Sequence, residues 1–531
     1  MASTDAPLLA ALEPRLRTLL PADLYAMAWL DPSSETLTQV FKHLQTLQRI
    51  LYDYVPSKVS ENLHKPGEIH WAWHEGTLLF TDLKGFTPLM EAHAPYGRAG
   101  AMRVLGVLND YFTQMIEVVS KSGGNLLEFT GDAILVEFEA DPRLNDTAQA
   151  VRAGLRMQRA MRAFAQIETE HGALALQMRI GVHTGRFLTA DIGTPRRMTH
   201  VLLGRNVLLT KRAEGDGEPG RVCLTGAAYA RIKGEFRCAP RGADHYLVLD
   251  DLTGDQLGEY DITLPRRRSQ RALLLDSSVP GLLSEIEDAV RVVEPVASYL
   301  PMPILNMLVE NPGRRQIAPQ FTNLSVIFVS LAGLSESADR ALPEEEPGLV
   351  GGFSRMFALI NAAVEAGGGV LKDVTYHPHG SGVLIYFGVP NAHTDDPVRA
   401  ARAALAIRDA IVRQTPPTIG GEPARLTCQI GLSYGPAFAG EIGEPRGRRD
   451  FNIHSDVVNT AARLMARAEA NQVLMTEDMH TQIAAAFECA YLGAFPLKGK
   501  AAPVPLYCAA RPQGKRRVAP TPARRRGRPF A

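Results

Sequence analysis

Between Gly76 and Leu83 the apolar positions run as "GTLLFTDL", the pattern of a strand with a buried face. From Gly97 to Gly123 they recur at three- and four-residue spacing, the pattern of an amphipathic helix closed by glycine. "NLLEFTGDAILVEF" (125–138) reads as a hairpin turning at Thr-Gly-Asp, "DTAQAVRAGLRMQRAMRAFAQ" (146–166) as a second helix and "LALQMRIGVHTG" (174–185) as a further strand. The order strand-helix-strand-strand-helix-strand predicts an α+β domain of split βαβ, ferredoxin-like type. Upstream, "PADLYAMAWL" (21–30) and "SETLTQVFKHLQTLQRILYDYV" (34–55) carry apolar residues at helical spacing. Ser33 or Ser34 is placed to cap the second.

The pattern then repeats. "YVPSKVSENL" from Tyr54 returns as "YLPMPILNML" from Tyr299, and "TLLFTDLKGFT" returns as "LSVIFVSLAGLS". "SGGNLLEFTGDAILVEF", "MRIGVHTG" and "HVLLGRNVLLTKRAE" return as "AGGGVLKDVTYHPHGSGVLIYFG", "CQIGLSYG" and "FNIHSDVVNTAARLMA". The offsets are 248 (82 to 330), 249 (132 to 381), 250 (179 to 429) and 251 (212 to 463), a drift too small for chance. Two copies of one domain follow, expected to pack as an internal pseudo-dimer. The organisation reads as an N-terminal helical segment (1–72), a first repeat (73–262), a helical linker (263–318) containing "PGLLSEIEDAVRVVEPVASYL", a second repeat (319–510) and a basic tail (511–531) expected to be disordered.

Bulk composition narrows the class without deciding it. The 531 residues are 45% hydrophobic and 21% charged, as in globular proteins, with 57 basic residues against 57 acidic ones, so no global charge points to nucleic acid. Five scattered cysteines without a C-x-x-C pair argue for a reducing compartment and against a disulfide or zinc framework. No apolar run reads as a membrane span, and the N-terminus lacks the pattern of a signal peptide, so a cytoplasmic protein is expected. The Arg- and Pro-rich tail is most simply solvated, and nucleic acid is not an expected partner.

Candidate chemistry sits at strand ends. An Asp-x-x-Gly closing a strand is by itself an ordinary turn. Here Asp82 ends the first strand and Asp132 occupies the turn of the hairpin, which a split βαβ fold makes its neighbour. Two converging carboxylates repel, and one or two hard divalent cations relieve them. Gly85-Phe86-Thr87 follows, where backbone N–H groups opening a helix would cradle phosphate oxygens. No Ser-His-Asp or Cys-His arrangement competes, and there is no G-x-x-x-x-G-K-[ST] loop.

These motifs, "FTDLKGFT", "FTGDAILVEF", "MRIGVHTG" and "NIHSDVVNTAARL", resemble in order and spacing those of the class III adenylyl/guanylyl cyclases, over both repeats from Thr77 to about Cys508. The arrangement is most similar to tandem-domain soluble cyclases. The resemblance implies Mg²⁺ or Mn²⁺ (two ions) on Asp82 and Asp132, with Phe86, Thr87 and Arg179 meeting the triphosphate. It also implies that Asn459 orients the ribose, that Arg463 meets charge at the α-phosphate, and that Lys498, in preference to Lys500, belongs to a second polyphosphate loop. The second repeat has Ser330 and Ser381 at the metal positions, and the first has Leu208 in place of the asparagine while keeping Arg212. One competent composite site and one dead partner follow.

The base pair of contacts is read as Lys372 donating to adenine N1 and Asn452 accepting from N6, with His377 the alternative to Lys372 by simple spacing. No carboxylate falls on those positions, which favours ATP over GTP and 3′,5′-cyclic AMP as product. A guanylyl cyclase and a catalytically silent nucleotide-binding module are the alternatives. Glu128 stands where a lysine is common in the first half of tandem cyclases, which counts against bicarbonate sensing.

Overall fold

The computed structural model describes residues 5–169, 172–258, 276–311, 317–377, 380–419, 421–423, 426–444, 447–498, 500 and 502–512. Four helices open the chain: α1 (Asp5–Leu19), α2 (Ala22–Leu30), α3 (Ser34–Tyr54) and α4 (Ser57–Glu61). Ser33 is the residue that caps α3, its hydroxyl accepting from the Thr36 N–H.

The first repeat comprises β1 (His70–Lys84), α5 (Phe86–His93), α6 (Gly97–Lys121), β2 (Asn125–Thr130), β3 (Ala133–Glu139), α7 (Asp146–Ala160), β4 (Gln177–Thr194), β5 (Arg197–Leu203), α8 (Arg205–Asp216), β6 (Val222–Thr225), α9 (Gly226–Ile232), β7 (Cys238–Arg241) and β8 (His245–Val248). Its sheet runs β2-β3-β1-β4-β6-β8-β7, with β5 paired to the far half of β4. Linker helices α10 (Val279–Ala297) and α11 (Met302–Glu310) lead to the second repeat. That repeat comprises β9 (Gln320–Ala332), α12 (Glu346–Ala366), β10 (Val370–His377), β11 (Gly380–Phe387), α13 (Asp396–Val412), β12 (Thr427–Gly443), β13 (Arg449–His454), α14 (Asp456–Arg467), β14 (Val473–Thr476), α15 (Glu477–Ile483), β15 (Phe487–Phe495) and β16 (Val504–Pro512). Its sheet order, β10-β11-β9-β12-β14-β16-β15 with β13 beside β12, reproduces the first strand for strand.

The repeats differ slightly from the sequence reading at their edges. Strand β1 begins at His70, inside the stretch read as helical to 72, and β16 runs two residues past 510. Residues 513–531, the body of the basic tail, lie outside the described residues. Among the described residues, helix α12 is long and apolar enough in its 21 residues to cross a bilayer by length and composition alone. Its Leu349, Phe353, Phe357 and Ile360 are nevertheless buried in the core of the second repeat.

Each sheet is covered on one face by its own helices. In the first repeat Leu79, Leu83, Ile134 and Val136 pack under α6 and α7, and in the second Ile327, Val329 and Ile385 pack under α12 and α13. The cores are shared across the pseudo-dimer. The β4–β5 arm sends Leu188, Ala190, Ile192, Val201 and Leu203 into the second core, while Phe438 and Ile442 of β12 enter the first. Burying such residues fully is worth ~1.5–3 kcal/mol each, so the halves are bound as firmly as parts of one domain.

The helical segment and linker form one layer over the second repeat, burying Leu44, Leu47, Leu51, Val290 and Val293 against Val326, Phe328, Ala437 and Ile453. The helices preceding each repeat grip the arm of the other one. Tyr54, ending α3, hydrogen-bonds Glu441 on β12, and Tyr299, just after α10, hydrogen-bonds Asp191 on β4. Burial and those carboxylates hold both phenols well above the usual tyrosine range. Arg449 completes the first grip, bonding Glu441 (2.9 Å) and Asp53 (2.7 Å).

Two glycines let the site helices approach their sheets. A Cβ on Gly181 would lie 2.4 Å from the Thr210 carbonyl oxygen of α8, and one on Gly431 would lie 2.0 Å from the Ala461 carbonyl oxygen of α14. Any side chain there must lift the helix.

Candidate composite active site

Asp82 sits near the end of β1, opposite Arg179 in the antiparallel register with β4, and the two form an ion pair of 2.6 Å. Asp132 follows Gly131 in the two-residue turn between β2 and β3. Burial, first, and the nearby Asp82 charge, second, push the Asp132 carboxyl up to about 8. The Asp82 contribution means the two carboxylates lie close enough to repel. Among the described residues no group of three or more His, Cys, Asp or Glu side chains is arranged to hold a metal ion. Two carboxylates are a donor set that fits hard cations keeping water and substrate oxygens as their other ligands.

The Asp132 shift carries a pH prediction. A carboxyl raised from 3.8 to about 8 binds more protons folded than unfolded across that window. Metal-free stability should accordingly fall as pH rises from ~4 to ~8, and Asp132→Asn should flatten the slope. A cation must displace the same proton, so metal affinity should climb with pH up to ~8 and release close to one proton near pH 7. Calorimetry in buffers of different ionisation enthalpy reads that release, and a release of zero would contradict the assignment.

Gly85, with φ 96°, precedes α5, and a Cβ there would lie 2.4 Å from the Ala175 carbonyl oxygen. The Phe86 side chain is not open to a ligand: it is buried and meets the His454 ring of the second repeat edge-on, with centroids 5.0 Å apart. Thr87 is half-buried on the first turn.

The second repeat reaches the carboxylates through β13. The Asn452 side chain donates to the Gly131 carbonyl (3.2 Å), the residue next to Asp132, and its Oδ1 accepts from the Ile453 N–H (2.9 Å). Asn452 is buried with both ends engaged, so as a base acceptor it offers the second lone pair of Oδ1. Helix α14 starts two residues after His454, so it follows directly on the strand that makes this contact. Asn459 is exposed and Arg463 half-buried. Arg463 Nη1 forms a long ion pair of 3.7 Å with Asp456 Oδ1 and, among the described residues, is shielded from solvent with no acceptor at hydrogen-bond distance.

Lys372 is buried and ion-paired with Asp450, two residues before Asn452 on the same face of β13. It is the extra residue of a β-bulge between the Leu371–Ile385 and Asp373–Leu384 pairs, which is why it lies one residue off the expected position. The matching bulge in the first repeat holds Leu127. Burial, then the Lys372 charge, depresses the neighbouring His454 to about 3, so that ring is neutral. The alternative candidate His377 ends β10, and its side chain lies outside the described residues.

Lys498 is exposed, and its charge acts across the domain boundary on Glu214 of α8, while Lys500 is ion-paired with Asp456. Glu214 is a residue the sequence reading missed. It binds Arg179 Nε at 2.8 Å, so Arg179 bridges Asp82 and Glu214. Burial and then Asp82 push its carboxyl up to about 7, against the pull of Arg179, Lys498 and Lys211. Asp450 and Lys211 were missed as well. A signal existed for the α8 pair: Lys211 and Glu214 are charged where the second repeat has Ala462 and Met465.

The pseudo-symmetric location is chemically different. Ser330 and Ser381 are both buried, Leu208 packs in a small apolar cluster with Phe80, Leu127 and Val207, and Arg212 is exposed.

Comparison with known proteins agrees with this anatomy. The family model of the adenylate and guanylate cyclase catalytic domain matches residues 72–248 and again 317–509. Adenylate cyclase 1 of Rhizobium meliloti is 28% identical over 36% of this chain and 28% of its own length. A receptor-type guanylate cyclase of Caenorhabditis elegans (gcy-13) is 27% identical over 39% of this chain and 19% of its own. The chain thus spans less than a third of either relative. Among solved structures, a class III adenylyl cyclase-like ATP-binding protein from Pseudomonas aeruginosa shares the fold over 84% of this chain and 93% of its own, with TM-score 0.52 and 13% identity. With both repeats matched, the chain belongs to the adenylate and guanylate cyclase catalytic domain family, as two copies in one polypeptide.

Proposed function

We propose that the protein converts ATP to 3′,5′-cyclic AMP and pyrophosphate at one composite site between the repeats. The observation that supports the reading is the Asn452–Gly131 contact, by which the strand leading into the Arg463-bearing helix of one repeat touches the residue next to Asp132 in the other. Mg²⁺ or Mn²⁺, held by Asp82 and Asp132, supplies Lewis acidity toward the ribose 3′-hydroxyl and the triphosphate. Arg179, once released from Asp82, and Lys498 bind the terminal phosphates. Phe86 and Thr87 offer backbone N–H groups at the start of α5. Asn459 orients the ribose, and Arg463, whose Nη1 makes a long ion pair of 3.7 Å to Asp456, turns to charge developing at the α-phosphate. The protein performs little covalent chemistry, and its work is positioning and charge stabilisation.

For the base, Lys372 beside Asp450 sets a donor next to an acceptor, which complements adenine N1 and N6. Asn452 serves as the acceptor through the second lone pair of its Oδ1, the first being taken by the Ile453 N–H. kcat/KM for ATP should exceed that for GTP with the same metal, and Lys372→Ala should lower the ATP value by roughly tenfold or more. A GTP preference would overturn the base assignment, and unchanged ATP kinetics would remove Lys372 from the site. Five free thiols are in keeping with the reducing, cytoplasmic setting we assign to this signalling role.

A silent ATP-binding module is the second reading. It is favoured by the Arg179–Asp82 pair, which engages a phosphate ligand and a metal ligand with each other, and by the description of the Pseudomonas protein as ATP-binding. Release of pyrophosphate from ATP by the purified protein decides between the two.

A further inference from the structure

Arg197, at the start of β5 in the first repeat, is buried (3% exposed), and its guanidinium is directed to backbone carbonyls. Its Nη1 donates to the carbonyls of Met198 and Tyr299, and its Nη2 donates to those of Leu371 (3.4 Å) and Lys372 (3.3 Å), with the charge 5.7 Å from the centre of the Phe357 ring. Three segments meet on this one side chain: the β5 arm of the first repeat, the end of linker helix α10, and the bulge of the second repeat that carries Lys372. The Met198 N–H, donating to the Ser298 carbonyl at 2.7 Å, fixes the arm to the same end of the linker.

The repeat supplies an internal comparison. Arg448 occupies the position matching Arg197, and it bonds the Asp53 carbonyl (3.3 Å) and the Arg449 carbonyl (2.9 Å), as Arg197 bonds those of Tyr299 and Met198. Arg448 lies against the Phe129 ring at 5.4 Å. On the Arg197 side the bulged residue is Lys372, where the first repeat has Leu127.

A bulged residue has lost its place in the ladder, and its direction depends on whatever holds its peptide groups. We infer that Arg197 is a specificity-determining positioning residue. By clamping the Leu371 and Lys372 carbonyls to the end of α10, it fixes the direction of the Lys372 ammonium toward Asp450 and the purine, and ties that direction to the linker. Arg197 touches no substrate and acts through Lys372. The inference rests on the assignment of Lys372 to the base.

The test compares full-length wild type, Arg197→Met, Lys372→Ala and the double variant, using the α,β-methylene analogues of ATP and GTP with Mn²⁺ so that binding is read without turnover. Arg197→Lys, which keeps the charge, replaces Arg197→Met should the latter fail to fold. Arg197→Met should lower the ratio of GTP-analogue to ATP-analogue Kd by roughly tenfold, the scale of one misplaced charged hydrogen bond. The double variant should lose no more selectivity than Lys372→Ala alone. Unchanged selectivity in Arg197→Met, or losses that multiply in the double variant, would overturn the inference. Amide hydrogen exchange provides a readout independent of nucleotide: exchange across 370–374 and at the end of α10 should rise in Arg197→Met, and wild-type exchange there would refute the clamp. If exchange rises but wild type itself shows no preference for the ATP analogue, the clamp stands and the base assignment fails.

Discussion

Replacing Asp82 or Asp132 with alanine is expected to abolish cyclic nucleotide formation while leaving the protein folded. On the proposed mechanism each carboxylate holds the cations, and losing several kcal/mol of transition-state charge stabilisation would take the rate below about one-thousandth of wild type. The two variants should nevertheless differ in stability. Asp132 is held protonated near neutrality by burial and by Asp82, so Asp132→Ala removes an unfavourable ionisation and should be neutral or stabilising above pH ~8. Asp82 is paired with Arg179, so Asp82→Ala leaves that guanidinium to Glu214 alone and should cost some stability. Cyclic nucleotide assays with Mg²⁺ and with Mn²⁺, beside thermal unfolding over pH, check both parts. Near-wild-type turnover in either variant would sink the metal assignment.

The second large effect is an asymmetry between two arginines at matching positions. Arg463→Ala should lower kcat by roughly 10²–10³, the scale for one transition-state donor, with a smaller change in KM. Arg212→Ala should leave kcat within about twofold, because Arg212 is exposed at a location where Ser330 and Ser381 replace the acids and Leu208 replaces the ribose asparagine. A surface substitution of that kind is worth within ~0.5 kcal/mol in stability as well. Equal losses in the two variants would contradict a single competent site.

Much of this was legible in the sequence because it is written locally. The strand ending in Asp82, the Thr-Gly-Asp hairpin and helices α3, α6, α7 and α10 follow from apolar periodicity and turn residues, and the internal repeat alone aligns Asp82 with Ser330. The features that escaped depend on residues far apart in sequence. Strand β5 is an arm whose apolar face is buried in the other repeat, so its partner surface cannot be read from its own segment. Lys372 resisted placement because a bulge adds one residue without a local signature. Asp450, Glu214 and Arg197 look like surface charges until the fold brings them to Lys372, Arg179 and the bulge carbonyls. Comparing the repeats position by position recovers part of this, since Lys211 and Glu214 are charged where Ala462 and Met465 are apolar.

Glu214 also bears on how the site engages substrate. Arg179 spans Asp82 and Glu214, so on the proposed mechanism a cation at Asp82 would free one end of the guanidinium for phosphate while Glu214 kept hold of the other. Lys498, whose charge reaches Glu214 from the second repeat, approaches the same place. These groups are carried by different repeats, so under the proposed function the polyphosphate end of the site would be assembled by domain pairing.

The most direct test of a single composite cyclase site is the product balance of the purified 531-residue protein incubated with ATP and Mn²⁺. The account predicts cyclic AMP and pyrophosphate forming in equal amounts over many turnovers, with both lost together in Arg463→Ala. ATP that binds and is recovered intact, with neither product formed, would contradict it.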